Sequence, residues 1–259
     1  MMRNSFSSIL LCFTLLLFAC SSGLGESQLA QAEQEYTQGN FLKAEALYEL
    51  YIQANPQGSQ RWEAWNKLVE ICITITRNHK KAAQLLEAMQ LEYSDDPVRQ
   101  VELAWSLAEV YTTLHDWDKG AETWQVLLDQ KDLSAEQVAK IHWNLGKIYQ
   151  YQGRYGMAKD SMLACMEKTT DTEYGTRCMY ELAQAYSLLK NRDQAKLWLE
   201  KIIAQEGVDT ETHALSVYLL SEVLENEGQI ARARALLLSI KATYPNPKVI
   251  ETRLQQLGK

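Results

Sequence analysis

Small and apolar residues recur along the chain in a fixed order, at intervals of 37 or 38 residues. In each interval a small residue is followed four positions later by a large apolar residue, and three positions after that by another apolar one. Because positions i, i+4 and i+7 lie on one face of an α-helix, each interval predicts a helix that buries this face. The small residues are Ala44, Ala82, Gly120, Ala158, Ala195 and Ala233.

A second apolar series precedes these helices in the same register. It consists of Val69, Leu107, Leu145, Leu182 and Leu220. The clearest copy of the pattern runs from Ala139 to Cys165, where Gly153 marks a turn between two helical segments. Gly146 and Ala158 are small where two helix backbones would have to approach closely. The chain is therefore predicted to form six helical hairpins in sequence.

The segment His142–Gly146, with the sequence His-Trp-Asn-Leu-Gly, resembles the start of the tetratricopeptide repeat (TPR) consensus. The TPR period is commonly about 34 residues, so each unit here carries about four more. The resemblance implies an all-α, TPR-type helix-hairpin solenoid of about six repeats over residues 28–245, with a capping helix over 246–259. In such an array each repeat buries its apolar face against its neighbours.

The second repeat matches this pattern least well. Glu70 occupies a position where a small residue is expected, and Ile71–Ile75 alternates apolar and polar residues as a strand would. Because the period continues through this segment, we predict that it is helical.

Helix ends are marked by proline. Asp96 before Pro97 predicts an N-cap followed by the first helical residue. The segment Pro245–Pro247 is predicted to end the last repeat, and Lys248–Leu257 to form a short helix. This helix has one apolar side, made of Val249, Ile250, Leu254 and Leu257.

Residues 1–19 have the features of a signal peptide. The run Ile9–Ala19 is apolar but has eleven residues, fewer than the roughly 20 that a membrane-spanning helix needs. Its length fits the apolar core of a secretory signal. The four residues Leu17–Cys20 resemble a bacterial lipobox, which implies that Cys20 is acylated and becomes the mature N-terminus. Ordinary signal cleavage with a free Cys20 is the alternative.

An acylated Cys20 would anchor the protein to a membrane, since several acyl chains bind stably where one does not. Residues 20–27 would form a short tether. Ser21 follows the cysteine in place of aspartate, and this resembles the default for outer-membrane sorting. The first repeat spans roughly residues 27–58, and its pattern from Tyr36 to Pro56 resembles the BamD-type outer-membrane lipoproteins. We therefore expect an envelope protein on the periplasmic face of the outer membrane.

Composition and motifs argue against nucleic-acid binding and against catalysis. Lys and Arg number 26 and Asp and Glu 33, giving a net charge of −7 with no basic run. The phosphate-loop, nucleophile-elbow and zinc-protease motifs are absent from the sequence. We expect that the protein is not an enzyme and that it has no cofactor or metal site. The histidines fall in different repeats, as His79, His115, His142 and His213.

Three cysteines lie in the repeats. Cys72 is predicted to be a core residue. Cys165 and Cys178 lie on either side of the turn at Asp171, on two successive antiparallel helices. Two separate buried thiols are the favoured interpretation, and a disulfide, which the expected compartment permits, is the alternative.

The first helices of TPR repeats line a concave groove that usually binds extended or helical protein segments. By register, an aromatic column in this groove consists of Trp105, Trp143, Tyr180 and Tyr218. The residues that would flank it are Glu102, Lys140, Lys147, Tyr151 and Arg177. Aromatic residues with arginine are typical of binding hot spots, so we predict aromatic anchors with a basic centre. The alternative is that these aromatics pack between repeats.

Together these features predict a non-catalytic, lipid-anchored scaffold or adaptor that binds envelope proteins through its concave surface. Two alternatives are an assembly factor of an outer-membrane, pilus or secretion complex, and a regulator of a cell-wall enzyme. The sequence leaves open whether the ligand is a peptide or a glycan.

Overall fold

A computed structural model describes residues 27–169 and 171–258, and these residues are helical with no β-strand among them. The predicted signal peptide and Cys20 lie outside the described residues. The chain divides into two compact units, one ending at Leu114 and the other beginning at His115. Each unit is described by itself.

Thirteen helices cover the described part of the chain and follow one another in pairs joined by short turns. The first unit contains α1 (27–37), α2 (Phe41–Ala54), α3 (Arg61–Glu70), α4 (His79–Glu92) and α5 (Pro97–Thr113). The second contains α6 (Trp117–Leu128), α7 (Ala135–Tyr151), α8 (Tyr155–Lys168), α9 (Thr172–Leu188), α10 (Arg192–Ala204), α11 (Thr210–Asn226), α12 (Ile230–Ser239) and α13 (Pro247–Leu257). The fold class is all-α and of the TPR helix-hairpin type, as the periodicity predicted.

The repeating small residues and their apolar partners form the cores of both units. Ala44 and Ala82 are fully buried in the first unit, next to Tyr48 and Leu86. In the second unit Ala158 is fully buried, and so are the large repeat positions Trp124, Met162 and Leu199. Each repeat thus presents the same face to its neighbours, which is why the pattern is visible in the sequence.

The segment Ile71–Ile75 continues α3 as a π-helical turn. Its i→i+5 hydrogen bond runs from the Thr76 N–H to the Ile71 carbonyl over 2.9 Å. The helical prediction is confirmed. The strand-like pattern of this segment reflects which residues the π-helical turn exposes: Ile71 and Cys72 are buried, whereas Thr74 and Ile75 are exposed. Burial in this core raises the pKa of the Cys72 thiol to about 11, so this thiol is a packing residue.

Arg61 joins three helices of the first unit. Its guanidinium donates to the Glu92 carboxylate of α4, with one bond of 2.7 Å, and to the Ile52 carbonyl at the end of α2. The Trp65 indole N–H donates to the same carboxylate over 3.1 Å. Burial would raise the pKa of Glu92, but the hydrogen bonds and charge of Arg61 outweigh it and hold this pKa below its usual value.

The second unit contains the predicted close approach of two helices. A Cβ atom added to Gly146 of α7 would lie 2.5 Å from the Cε atom of Met162 on α8. Gly153 ends this helix with a φ of +72°, in the left-handed region that favours glycine. Both features confirm the sequence interpretation of this hairpin.

Cys165 of α8 and Cys178 of α9 are fully buried and joined by a disulfide, with their Cα atoms 6.2 Å apart. The structure therefore differs from the favoured sequence interpretation of two separate thiols. The turn between the two helices ends at Asp171, whose carboxylate accepts a hydrogen bond from the Tyr174 N–H over 2.9 Å. This N-cap fixes the direction in which α9 leaves the turn.

The helix ends follow the sequence signals in part. Asp96 caps α5 and Pro97 is its first residue, as predicted. However, α12 ends at Ser239, well before Pro245. The chain turns at the buried Ile240, and this turn brings the Tyr244 ring against the Tyr218 ring, with 5.1 Å between their centroids.

The final helix, α13, has a narrower apolar side than expected. Ile250 and Leu254 are buried against α11 and α12, and Leu257 packs partly against them. Val249, which was predicted to lie on the same apolar side, is 37% exposed. None of the described helices combines the length and the apolar character that crossing a membrane requires.

Candidate functional site

Three helices of the second unit, α7, α9 and α11, line a groove made of two cavities. The first cavity has a volume of about 520 Å³ and the second about 260 Å³. Residues lining the first include Lys147, Gln150, Tyr151, Glu181, Gln184 and Glu222. Residues lining the second include Trp143, Arg177, Tyr180, Glu181, Asp209 and Glu211. Glu181 belongs to both, and we call the two cavities together the unit 2 groove.

Of the nine residues predicted for the column and its flanks, Glu102 is exposed on α5 of the first unit, and five of the other eight line this groove. They are Trp143, Arg177 and Tyr180 in the smaller cavity and Lys147 and Tyr151 in the larger one. The structure thus brings together the centre of the predicted column.

The other three predicted residues lie elsewhere. Lys140 lines a third cavity with Glu136, Asp171 and Tyr174. Tyr218 lines a fourth, formed with residues of α13. Trp105 is a partly buried residue of α5 in the first unit.

Trp143 contributes to packing as well as to the groove wall. Its ring is partly buried, 6.0 Å from the Tyr174 ring, and its indole nitrogen is buried with no hydrogen-bond partner among the described residues. The Lys147 ammonium lies 4.4 Å from the centroid of the same ring, within cation–π distance. These contacts agree with the alternative interpretation, in which the aromatics pack between repeats, and a binding role for Trp143 stays a prediction.

Tyr180 forms a partly buried part of the wall of the smaller cavity. Burial, together with the charge of Glu181, raises the pKa of its phenol, so the hydroxyl stays protonated at neutral pH. The Gln184 side-chain amide approaches this hydroxyl at 3.4 Å. A protonated phenol both donates and accepts hydrogen bonds, so it can pair with a backbone carbonyl or N–H group of a bound segment.

Glu181 lies where the two cavities meet. Burial raises the pKa of its carboxyl group, although the charge of Lys147 opposes this effect. The Gln150 side chain donates to the backbone carbonyl of Glu181 over 3.0 Å and links α7 to α9 at this point. Among the described residues, no Lys, Arg or His nitrogen lies within ion-pair distance of this carboxylate.

Carboxylates outnumber cations in the lining of the groove, which differs from the basic centre that the sequence predicted. Its carboxylates are Glu181, Asp209, Glu211 and Glu222, whereas its cations are Lys147 and Arg177. Arg177 also pairs with Glu173 on its own helix over 2.7 Å. The pKa of Asp209 is lowered because its carboxylate caps α11 and accepts from the Thr212 N–H over 2.8 Å.

An aromatic stack borders the groove, and the sequence interpretation named only one of its rings. The Trp117 ring centroid lies 4.6 Å from that of Tyr151 with a 6° angle between their planes, and the His115 ring stacks 4.7 Å from Trp117 and 6.5 Å from Tyr151. Tyr151 is 66% exposed. Trp117 lies three positions before Gly120, the position that Phe41 and Tyr155 occupy in their repeats. The repeat register could therefore have indicated Trp117.

The first unit has a smaller cavity of about 300 Å³ around Arg61, Trp62, Glu92, Tyr93 and Arg99. The Arg99 guanidinium lies 4.7 Å from the Trp62 ring and 4.8 Å from the Tyr93 ring. The two arginines of this cavity, Arg61 and Arg99, already contact rings and carboxylates, which indicates that they have a packing role. In the described part of the chain, no group of three or more His, Cys, Asp or Glu residues is arranged to hold a metal ion.

The profile of the tetratricopeptide repeat family matches residues 139–167 and 176–206. These segments cover most of the hairpins α7–α8 and α9–α10, whose first helices line the groove. Repeats of this class are typically non-catalytic scaffolds for protein–protein interaction. No curated protein sequence matches the chain significantly.

Several solved structures share the fold. PilW, a widely conserved type IV pilus biogenesis factor, is 15% identical over 89% of this chain and 98% of its own, with a TM-score of 0.59. PilF of Pseudomonas aeruginosa is 14% identical over 91% and 98%, with a TM-score of 0.57. BtubC from P. vanneervenii is 20% identical over 86% and 94%, also with a TM-score of 0.57. At these identities the similarity concerns the fold.

Proposed function

We propose that this protein is a non-catalytic adaptor that holds a protein partner at the cell envelope by binding a segment of that partner in the unit 2 groove. The observation that carries the proposal is the groove itself. It lies on the first helices of the hairpins that match the TPR profile, and it combines aromatic walls with charged and amide side chains. Aromatic anchors surrounded by polar groups are typical of protein-binding surfaces.

The proposed anchor is an acyl group on Cys20. It rests on the lipobox-like Leu17–Cys20 and on the short apolar run before it, all outside the described residues. A tether over residues 20–27 would span at most about 30 Å when extended. The start of the first unit would therefore be held close to the membrane, and we place the protein on the periplasmic face of the outer membrane.

Pilus assembly is the first pathway to test, because PilW is a type IV pilus biogenesis factor and its fold resembles this one. An outer-membrane or secretion assembly factor and a regulator of a cell-wall enzyme are the other candidates that the sequence favours.

Partner binding through the groove is tested by affinity capture from detergent-solubilised envelope, followed by quantitative mass spectrometry. The variant carries Trp143→Ala and Tyr180→Ala, which remove two aromatic walls of the smaller cavity. The control is Leu197→Ala on α10, which removes a 55% exposed side chain and lines neither cavity. We expect one or more partners that the wild type and the control capture and the double variant loses. Equal capture by all three proteins would refute the proposed groove.

The proposed acyl anchor is tested with a Cys20→Ser variant in cells. We expect the wild-type protein to incorporate labelled fatty acid and to fractionate with the outer membrane. The variant should incorporate no label and leave the membrane fraction at high salt. A Cys72→Ser variant is the control, since it keeps the proposed anchor. If Cys20→Ser is still labelled, or stays with the membrane at high salt, the anchor proposal is wrong.

A further inference from the structure

The unit 2 groove has more carboxylates than cations in its lining. Its lining carries four carboxylates and two cations, and both cations already have interactions within the chain. Lys147 lies over the Trp143 ring, and Arg177 pairs with Glu173. The interaction that remains open to a ligand is therefore with the carboxylates.

Two of these carboxylates line the larger cavity, Glu181 from α9 and Glu222 from α11. Glu181 is partly buried and has no ion-pair partner among the described residues. The Glu222 carboxylate accepts a hydrogen bond from the Tyr218 hydroxyl, and its ion pair with Arg253 is long, at 3.8 Å, whereas the same arginine lies 2.8 Å from Glu225. The cavity thus holds two carboxylates that are incompletely neutralised, and a buried carboxylate is costly without a counter-charge.

The rest of the larger cavity suits a long cationic side chain. Its volume of about 520 Å³ exceeds what one side chain fills, and Gln150, Gln184 and Ser187 supply further hydrogen-bonding groups. Tyr151 at the rim is 66% exposed and is held flat by stacking on Trp117. The aliphatic part of a long lysine or arginine side chain can pack against an exposed ring of this kind while its charged end reaches a polar site.

We propose that the larger cavity receives the side chain of a lysine or arginine from the partner segment, with its cationic group between Glu181 and Glu222 and its aliphatic part against Tyr151. This inference rests on the proposed function and adds the chemistry of the partner: a basic segment. An acidic C-terminus would meet repulsion from the same carboxylates. Since oppositely charged surfaces steer association, binding should weaken as salt rises.

The test uses four pools of fluorescein-labelled peptides of about twelve residues, with random flanks and a fixed central arginine, lysine, norleucine or glutamate. Binding to the mature protein is followed by fluorescence anisotropy. We expect the arginine and lysine pools to reach half-saturation at about tenfold lower protein concentration than the norleucine pool, the change that roughly 1.4 kcal/mol produces. The glutamate pool should bind most weakly.

Glu181→Gln and Glu222→Gln each keep the shape of the side chain and remove its charge, so each should reduce this preference to less than about threefold. The matched control is Glu200→Gln, an exposed glutamate of α10 that does not line the groove. Circular dichroism spectra and melting curves confirm that all variants fold.

Equal binding of the arginine, lysine and norleucine pools would overturn the inference, and so would a preference that survives in the Glu181→Gln, Glu222→Gln double variant. If all pools bind equally but Tyr180→Ala abolishes binding, the cation preference fails while the proposed groove stands. If no pool binds, the cation preference is likewise overturned, and the proposed function is then decided by the envelope capture experiment.

Discussion

The Cys165–Cys178 disulfide should contribute measurably to the stability of the second unit. The two cysteines are separated by 13 positions, so the bond closes a loop of about 14 residues. Cross-linking a loop of this size restricts the unfolded chain and stabilises the folded one by about 3 kcal/mol. We therefore expect dithiothreitol to lower the urea midpoint of the wild-type protein. A double Cys165→Ala, Cys178→Ala variant should unfold at the same midpoint with and without the reductant.

The control for this prediction is Cys72→Ala. This variant removes a buried thiol of the first unit and leaves the proposed bond intact, so it should keep the full difference between oxidised and reduced midpoints. Alkylation of the denatured, non-reduced protein followed by mass spectrometry should label Cys72 and leave the other two unlabelled. Two free thiols at Cys165 and Cys178 in protein purified from an oxidising compartment, or a midpoint that does not respond to reductant, would refute the reasoning.

Three further predictions concern packing and charge. Arg61→Leu removes the donors to Glu92 and to the Ile52 carbonyl, and should lower the free energy of unfolding by about 2–4 kcal/mol in urea titrations, because it leaves a partly buried carboxylate unpaired. A loss below about 0.5 kcal/mol would contradict this role. Because the folded-state pKa of Glu92 is depressed, the ion pair stabilises the protein above the ordinary carboxyl pKa of 4.5, and this contribution is lost as the pH falls through the depressed value. The stability difference between wild type and Arg61→Leu should therefore shrink below about pH 4, and a difference that is constant down to pH 2 would contradict the assignment. Gly146→Val should destabilise the second unit by about 1–3 kcal/mol, since its Cβ would lie 2.5 Å from Met162 Cε, and Met162→Ala in the same chain should recover part of the loss in thermal denaturation.

The fold was predictable because each repeat solves the same packing problem with the same kind of residue. Ala82, Ala158 and their counterparts are small because a second helix lies against them, and Trp124 and Met162 are large because they fill the space beside them. Such contacts depend on spacing along one or two helices, and spacing is visible in the sequence. The register also placed Trp143, Tyr180 and Lys147 on the first helices that line the groove.

The charge of the groove was not predictable in the same way. Lys147 and Arg177 suggested a basic centre, but the structure adds Asp209, Glu211 and Glu222 from a helix one repeat away. Which side chains share a cavity depends on how successive hairpins pack, and the period does not specify this. The early end of α12 has a similar cause, since it follows from the packing of Tyr244 on Tyr218 and not from a local helix breaker.

The most direct test of a partner-binding groove is site-specific photocrosslinking in intact cells. A photoreactive phenylalanine analogue would replace Tyr151 or Tyr180 in the unit 2 groove, and Leu163 or Leu197 as exposed controls on α8 and α10. Both groove positions should form a covalent adduct with the same envelope protein, and both control positions should form none. Adducts at the control positions alone, or equal adducts at all four, would contradict partner binding through this groove.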